Sequence, residues 1–302
     1  MIWNIDRNTI NSEFNRKGSI KMEKYAILGY PLKHTMSPPI HKKLFELEGK
    51  SGVEYEICEY APETLAEKAS YLNSLGGYNI TIPFKVDIIK YIDELDASAK
   101  RYDSVNCVVN RDGKNIGYNT DCYGFLRALE AGSAKLGGRV LQIGCGGVGR
   151  MMAIEALLHG ADLTVVVLKG FEDTAEAVIS ELKKQNCGED VISRFKYIYA
   201  DRIEGHFDLL VNATPVGMFP KIENCPVSEE VIANCDCVFD AIYNPDKTKL
   251  MQIAEAHGIK AIGGMAMLVW QAVVAHEIWS GAKYNDSDIE ALICDMRAAL
   301  KA

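Results

Sequence analysis

The chain has 302 residues, 48% of them hydrophobic and 25% charged, which is room for one large domain or two ordinary ones. A net charge of −8 argues against a nucleic-acid surface, and no apolar run approaches the roughly 20 residues that span a bilayer. Nine cysteines, an odd number scattered along the chain, fit reduced thiols in a cytoplasmic protein rather than a disulfide framework.

Residues 1–23 are polar and carry neither a periodic pattern nor the apolar core of a secretion signal. They read as a disordered extension, with Met22 as an alternative start. Tyr25–Gly29 then reads as a buried strand, Ile40–Leu47 as a helix closed by Gly49, and Glu54–Tyr60 as an alternating strand. Pro62–Leu75 has helical spacing up to Gly76-Gly77, Tyr78–Ile82 is a short strand stopped by Pro83, and Val86–Ile92 is helical. Asp112-Gly113, between strands Val105–Val109 and Asn115–Tyr118, is a hairpin signal. A helix runs from about Asp121 to Lys135.

Beyond Gly137-Gly138 the rhythm changes. Strands Arg139–Ile143, Leu163–Leu168, Phe195–Tyr199, Leu209–Ala213, Cys237–Ala241 and Lys260–Ile262 alternate with helices reaching about His159 and over Thr174–Lys184 and Thr248–His257. That alternation predicts an α/β fold with a doubly wound parallel sheet. Helices Met265–Trp279 and Asp286–Leu300 close the series. Cys235 and Cys237 lie at the start of an apolar run with no second ligand pair at zinc spacing, so no metal site is expected. His34 and His276 read as structural histidines for the same reason.

Gly144, Gly146 and Gly149 form G-x-G-x-x-G between a strand and a helix. Glycines let backbone N–H groups approach a pyrophosphate, and the helix N-terminus favours its charge. The end of the second strand of such a unit meets the adenosine ribose, where an acid selects a free 2′-hydroxyl and a cation a 2′-phosphate. Lys169 suits the phosphate and Glu172 or Asp173 the hydroxyl. All three also read as solvated surface charges, and local chemistry leaves the choice open.

Lys85 follows a Pro-Phe turn at a strand end, which points it out of the sheet. Asp121 falls at the N-cap of a helix, where aspartate is favoured as a cap alone. By themselves the first reads as an exposed helix-start lysine and the second as a capping residue.

A series of motifs changes that reading. The run Ile27-Leu28-Gly29-Tyr30-Pro31-Leu32-Lys33-His34-Thr35-Met36-Ser37-Pro38-Pro39-Ile40-His41, then Asn79–Lys85, Ser104-Val105-Asn106, and Asn119–Phe125 resemble successive motifs of the shikimate dehydrogenase family. Asn212–Met218, Asp240–Pro245 and Gly264–Gln271 complete the series in the family's order.

The resemblance implies two domains: a discontinuous α/β substrate domain, 24–122 with 264–302, and a Rossmann domain, 123–263. It implies a catalytic pair, Lys85 and Asp121. Thr35, Ser37 and Tyr243 would hold a substrate carboxylate, and Thr81, Asn106, Asp121 and Gln271 the ring hydroxyls. Gly144, Cys145, Gly146, Gly147 and Val148 would cradle the pyrophosphate, with Lys169 beyond it. Asn212, Thr214, Gly264 and Met267 would line the nicotinamide side.

The implied reaction is reversible, NADPH-dependent reduction of 3-dehydroshikimate to shikimate, by a protein without nucleic-acid or membrane partners and compatible with a homodimer. The alternatives are quinate or shikimate oxidation with NAD, and a non-catalytic regulatory binding module. The chain departs from the pattern at Thr35 for serine, Cys107 for threonine and Ala266 for glycine. Val167-Leu168-Lys169 also stands where the family's NADP-marking Asn-Arg-Thr is expected.

Overall fold

A computed structural model describes residues 23–32 and 35–300; residues 1–22 of the expected extension and His34 lie outside the described residues. Strands β1 (Lys24–Gly29), β2 (Glu54–Glu59), β3 (Gly77–Ile80), β4 (Glu94–Leu95), β5 (Cys107–Arg111) and β6 (Lys114–Tyr118) form one sheet, in the order β2-β1-β3-β5-β6-β4. It is mixed: β1 runs parallel to β2 and β3, and β5 runs antiparallel to β3 and β6. The β5–β6 hairpin turns at Asp112 (φ 53°) and Gly113 (φ 80°), the paired left-handed residues of a type I′ turn. Helices α1 (Ser37–Leu47), α2 (Leu65–Leu72), α3 (Ala97–Tyr102) and α4 (Asp121–Ala131) accompany this sheet.

The second sheet is wholly parallel. It contains β7 (Arg139–Ile143), β8 (Asp162–Val166), β9 (Phe195–Ile198), β10 (Leu209–Asn212), β11 (Cys237–Asp240) and β12 (Lys260–Gly263), in the order β12-β11-β10-β7-β8-β9. Its crossovers carry α5 (Gly147–Leu158), α6 (Glu172–Lys184), α7 (Glu189–Ile192), α8 (Glu229–Ala233) and α9 (Lys249–Ala256). The order reverses between β7 and β10, the place where doubly wound sheets open a ligand crevice at their carboxyl ends.

Two helices follow, α10 (Gly264–Ser280) and α11 (Asp286–Ala299). Helix α10 is apolar all round, so it must be covered on every side. It leaves β12, lies against α4, and ends on the first sheet, where Trp279 Nε1 donates to the Val108 carbonyl of β5 at 2.9 Å. A Cβ at Gly124 would come within 2.7 Å of the Met267 carbonyl, so only glycine lets α4 and α10 approach this closely. Among the described residues no helix is long and apolar enough to cross a membrane.

Three local expectations change. The first turn of the expected Pro62–Leu75 helix is a 3-10 turn, Pro62–Thr64, and the helix ends at Leu72. Val86–Ile92 reduces to a 3-10 turn over Asp87–Tyr91. Asp121 is not the N-cap of α4: the cap is Thr120, and Asp121 is the first helical residue. The Thr120 hydroxyl accepts from Asn106 Nδ2 at 3.0 Å and makes no cap bond of its own, while the Thr120 N–H donates to Asn106 Oδ1 at 2.6 Å. The acid still complements the helix dipole from the first turn.

Candidate active site

The turn after β3 is pinned by Phe84, which is fully buried, and by the Val105 N–H, which donates to the Lys85 carbonyl at 2.8 Å. That anchoring leaves the Lys85 side chain to project from the strand end. Its Nζ lies 2.6 Å from Asp121 Oδ2, with side-chain exposures of 22% and 15%, so the pair is largely shielded from solvent. Asn106 Nδ2 donates to the other carboxylate oxygen, Oδ1, at 2.9 Å. Asp121 is thus held on both oxygens, by a cation on one and an amide on the other.

This pair borders a cavity of about 440 Å³. Thr35, Ser37, Thr81, Asn106, Tyr243 and Gln271 line the same cavity. Gln271 reaches it from α10, with Oε1 lying 3.3 Å from Thr120 Oγ, and Tyr243 reaches it from the chain after β11. Every residue expected on the substrate side is brought to one place, although these residues span positions 35 to 271.

Asn79 joins them and was absent from the candidates read from the sequence. Its Oδ1 accepts from the Tyr55 hydroxyl at 2.9 Å, while its buried Nδ2 has no protein partner. A buried donor without an acceptor is costly, and the cavity beside it is where a ligand oxygen could satisfy it. The sequence signal was available: in a short strand, Asn79 shares its face with Thr81 by the two-residue period.

The glycine loop links β7 to α5 at the crevice. Gly144 adopts φ +85°, and a Cβ there would strike Thr214 Cγ2 at 2.5 Å. Gln142 Nε2 staples the loop by donating to the Gly144 and Gly149 carbonyls at 2.9 and 2.8 Å. Gly146, Gly147 and Val148 are exposed, and a Cβ on Gly146 or Gly147 would meet nothing within 4 Å. This open cradle of backbone at a helix N-terminus fits a dinucleotide pyrophosphate. Cys145 offers only its backbone, since its side chain is buried in the core and burial pushes its thiol up to about 12.

Of the residues expected on the nicotinamide side, Asn212 is fully buried and its amide is used within the protein. Its Nδ2 donates to Asp240 Oδ1 at 3.0 Å and the Val216 carbonyl at 3.3 Å, and its Oδ1 accepts from Thr214. Asp240 also accepts from the Ile242 N–H and the Thr248 hydroxyl, and burial raises its carboxyl to about 6. Asn212 therefore shapes the Thr214 segment from beneath. Gly264 packs so tightly that a Cβ would lie 2.2 Å from the Ala241 carbonyl. Met267 is buried against α4, and Lys169 is exposed in the turn that follows β8.

A second polar group lies behind the cavity. His41 Nδ1 and His276 Nε2 are 2.9 Å apart, and His276 Nδ1 bonds Glu48. Tyr284 and Ser280 also donate to Glu48, at 2.7 and 2.8 Å. Burial lowers the readiness of both histidines to charge. Burial raises the Glu48 carboxyl, but the hydrogen bonds from His276, Tyr284 and Ser280 outweigh it and bring the group down to about 2. This cluster ties α1 to α10, the helices carrying Ser37 and Gln271.

Residues 27–108 match the family model described as shikimate dehydrogenase substrate binding domain. The shikimate dehydrogenase (NADP(+)) of Caldanaerobacter subterraneus subsp. tengcongensis is 35% identical over 272 residues, covering 87% of this chain and 93% of that protein. Among solved structures, a chorismate mutase/shikimate 5-dehydrogenase fusion protein from Clostridium acetobutylicum superposes with a TM-score of 0.81 at 28% identity, covering 93% and 99% of the two chains. The shikimate 5-dehydrogenase of Thermus thermophilus, solved with NADP(H) and shikimate, gives 0.77 at 28% identity and covers 91% and 100%.

Proposed function

Because the chain belongs to the shikimate dehydrogenase family, we propose that it interconverts 3-dehydroshikimate and shikimate with NADP, using Lys85 and Asp121 at the reacting oxygen. The observation that carries this reading is the Lys85–Asp121 contact of 2.6 Å on the wall of the cavity that also gathers Thr35, Ser37, Thr81, Asn106, Tyr243 and Gln271.

When bound, the dinucleotide would supply or accept the hydride. Gly144 to Val148 would hold its pyrophosphate, the Thr214 segment with Gly264 and Met267 its nicotinamide end, and Lys169 its ribose end. As the ketone is reduced, charge builds on the carbonyl oxygen. The Lys85 ammonium stabilises that charge and passes its proton to the oxygen. In the reverse direction the neutral Lys85 amine takes the hydroxyl proton. Asp121 Oδ2 holds Lys85 in place throughout, while Asn106 fixes the other carboxylate oxygen.

Hydroxyl donors suit an anionic carboxylate, and Thr35, Ser37 and Tyr243 would bind it. Thr81, Asn79, Asn106 and Gln271 supply amide and hydroxyl groups for a polyhydroxy ring. Residues 24–122 with 264–302 would form the substrate domain, and 123–263 the dinucleotide domain. A homodimer in the cytoplasm is the accompanying expectation, read by sedimentation and by cell fractionation.

The test is oxidation of shikimate and of quinate, each with NADP+ and NAD+. The expected outcome is turnover of shikimate with NADP+. Preference for quinate with NAD+ would replace this reading by the quinate one. Absence of turnover on all four combinations would overturn it in favour of a binding module.

A further inference from the structure

We propose that Tyr199 and Glu172 act with Lys169 as a selectivity unit for the 2′-phosphorylated form of the dinucleotide, with Tyr199 holding Glu172 away from the ribose. The inference rests on the dinucleotide reading above. Strand β8 lies beside the glycine-loop strand β7, so the residues just after Val166 reach the adenosine-ribose end of the crevice. An acid there selects an unphosphorylated ribose by accepting from its hydroxyls, and it repels a 2′-phosphate.

Glu172 does not present its oxygens that way. Its Oε1 accepts from the Tyr199 hydroxyl at 2.6 Å, and its Oε2 from the Gly170 N–H at 2.9 Å. Asp173 is likewise turned back, accepting from the Thr174 N–H at 2.9 Å. Both acids bind the protein's own donors. The hydrogen bond from Tyr199 also favours the ionised form of Glu172, so the carboxylate stays committed to this bond.

Gly170 closes the loop in the left-handed region (φ +88°), with open space where a Cβ would be. Lys169 precedes it, exposed, with Nζ 5.7 Å from the centre of the Tyr199 ring. One tyrosine therefore does two things: its hydroxyl retains the anion and its ring supports the cation. A 2′-phosphate would find an ammonium facing it and a carboxylate drawn aside. Tyr199 and Glu172 are positioning residues, and Lys169 is the ligand.

The experiment is calorimetric titration of the full chain with 2′,5′-ADP and with 5′-AMP, which lacks only the 2′-phosphate, without shikimate. Circular dichroism of each variant checks the fold. In the unmodified protein, 2′,5′-ADP should bind about tenfold more tightly than 5′-AMP. Lys169→Ala should remove that difference and leave 5′-AMP unchanged.

Tyr199→Phe keeps the ring and frees Glu172, so it should weaken 2′,5′-ADP about threefold to tenfold without weakening 5′-AMP. Combining it with Glu172→Gln should restore 2′,5′-ADP binding. Equal affinity of the unmodified protein for the two nucleotides, or a Tyr199→Phe variant that changes both alike or neither, would overturn the proposal. Those outcomes are separate from loss of shikimate turnover, which bears on the function and not on this selection.

Discussion

Asn106 Nδ2 occupies Asp121 Oδ1 at 2.9 Å, the carboxylate oxygen that Lys85 leaves unused. A carboxylate held on both oxygens cannot swing, so the lysine it carries is fixed as well. Lys85→Ala should lower kcat by about 10²–10⁴-fold, the usual range for losing a positioned general acid. Asn106→Ala should lower kcat by a smaller factor, since it loosens Asp121 without removing the proton donor. Steady-state kinetics with folded variants would check both, and near-normal turnover in Lys85→Ala would remove the lysine from the mechanism.

Asn79→Ala should act on binding. The Nδ2 group is buried without a protein acceptor on a residue that lines the cavity, while Tyr55 fixes the other side of the amide. Losing one hydrogen bond to a neutral substrate oxygen is worth about 1 kcal/mol, so KM for shikimate should rise about fivefold to tenfold with kcat nearly kept. A fall in kcat with unchanged KM would show that Asn79 acts on the transition state instead.

Glu48 sets a stability difference at low pH. Its carboxyl is depressed to about 2 in the folded chain from an ordinary 4.5. A depressed carboxyl contributes stability that is full above pH 4.5 and is lost as pH falls through 2. Allowing for solvent screening, the contribution is roughly 2 kcal/mol. Glu48→Gln should therefore be less stable than the parent at pH 7 and converge with it near pH 2. Urea unfolding across that range would show it, and a constant difference would contradict the assignment.

Asp240 has the opposite sign. Burial raises its carboxyl from 3.8 to about 6, so the folded state favours the protonated form. Stability from this group is present below pH 3.8 and is lost as pH rises through 6, a change of about 3 kcal/mol. Asp240→Asn should remove this loss, so the variant should gain on the parent between pH 4 and pH 8. Parallel thermal melts at the two pH values would detect it, and pH-independent differences would count against the raised value.

The sequence made the second sheet legible because its strands are continuous apolar runs between turn residues, and the hairpin legible because Asp112-Gly113 fits one turn type. Helix α3 was missed, although Asp96 caps it by accepting from the Ser98 N–H at 2.8 Å. Six residues give too short a period to read. Asp121 was placed one residue early because its neighbour Thr120 is an equally good cap by composition. What displaced the assignment is Asn106, a partner 14 residues away. The same limit hid the His41–His276 contact, which joins positions 235 residues apart and leaves no local trace. At the site, Lys85 and Asp121 were readable through ordered motifs, whereas the double use of Tyr199 depends on a strand and a helix start meeting.

Helix α10 imposes an order of construction on the chain. The first sheet is complete in sequence by Tyr118, yet Ala275 and Trp279, which pack on Tyr25, Phe45 and Val109, are synthesised after the whole second sheet. At about 5–20 residues per second, the growing chain carries that apolar face uncovered for on the order of ten seconds. A nascent chain stopped just before α10 would hold both sheets and lack the wall that Gln271 gives the cavity, so the site is closed only by one of the last helices the chain makes.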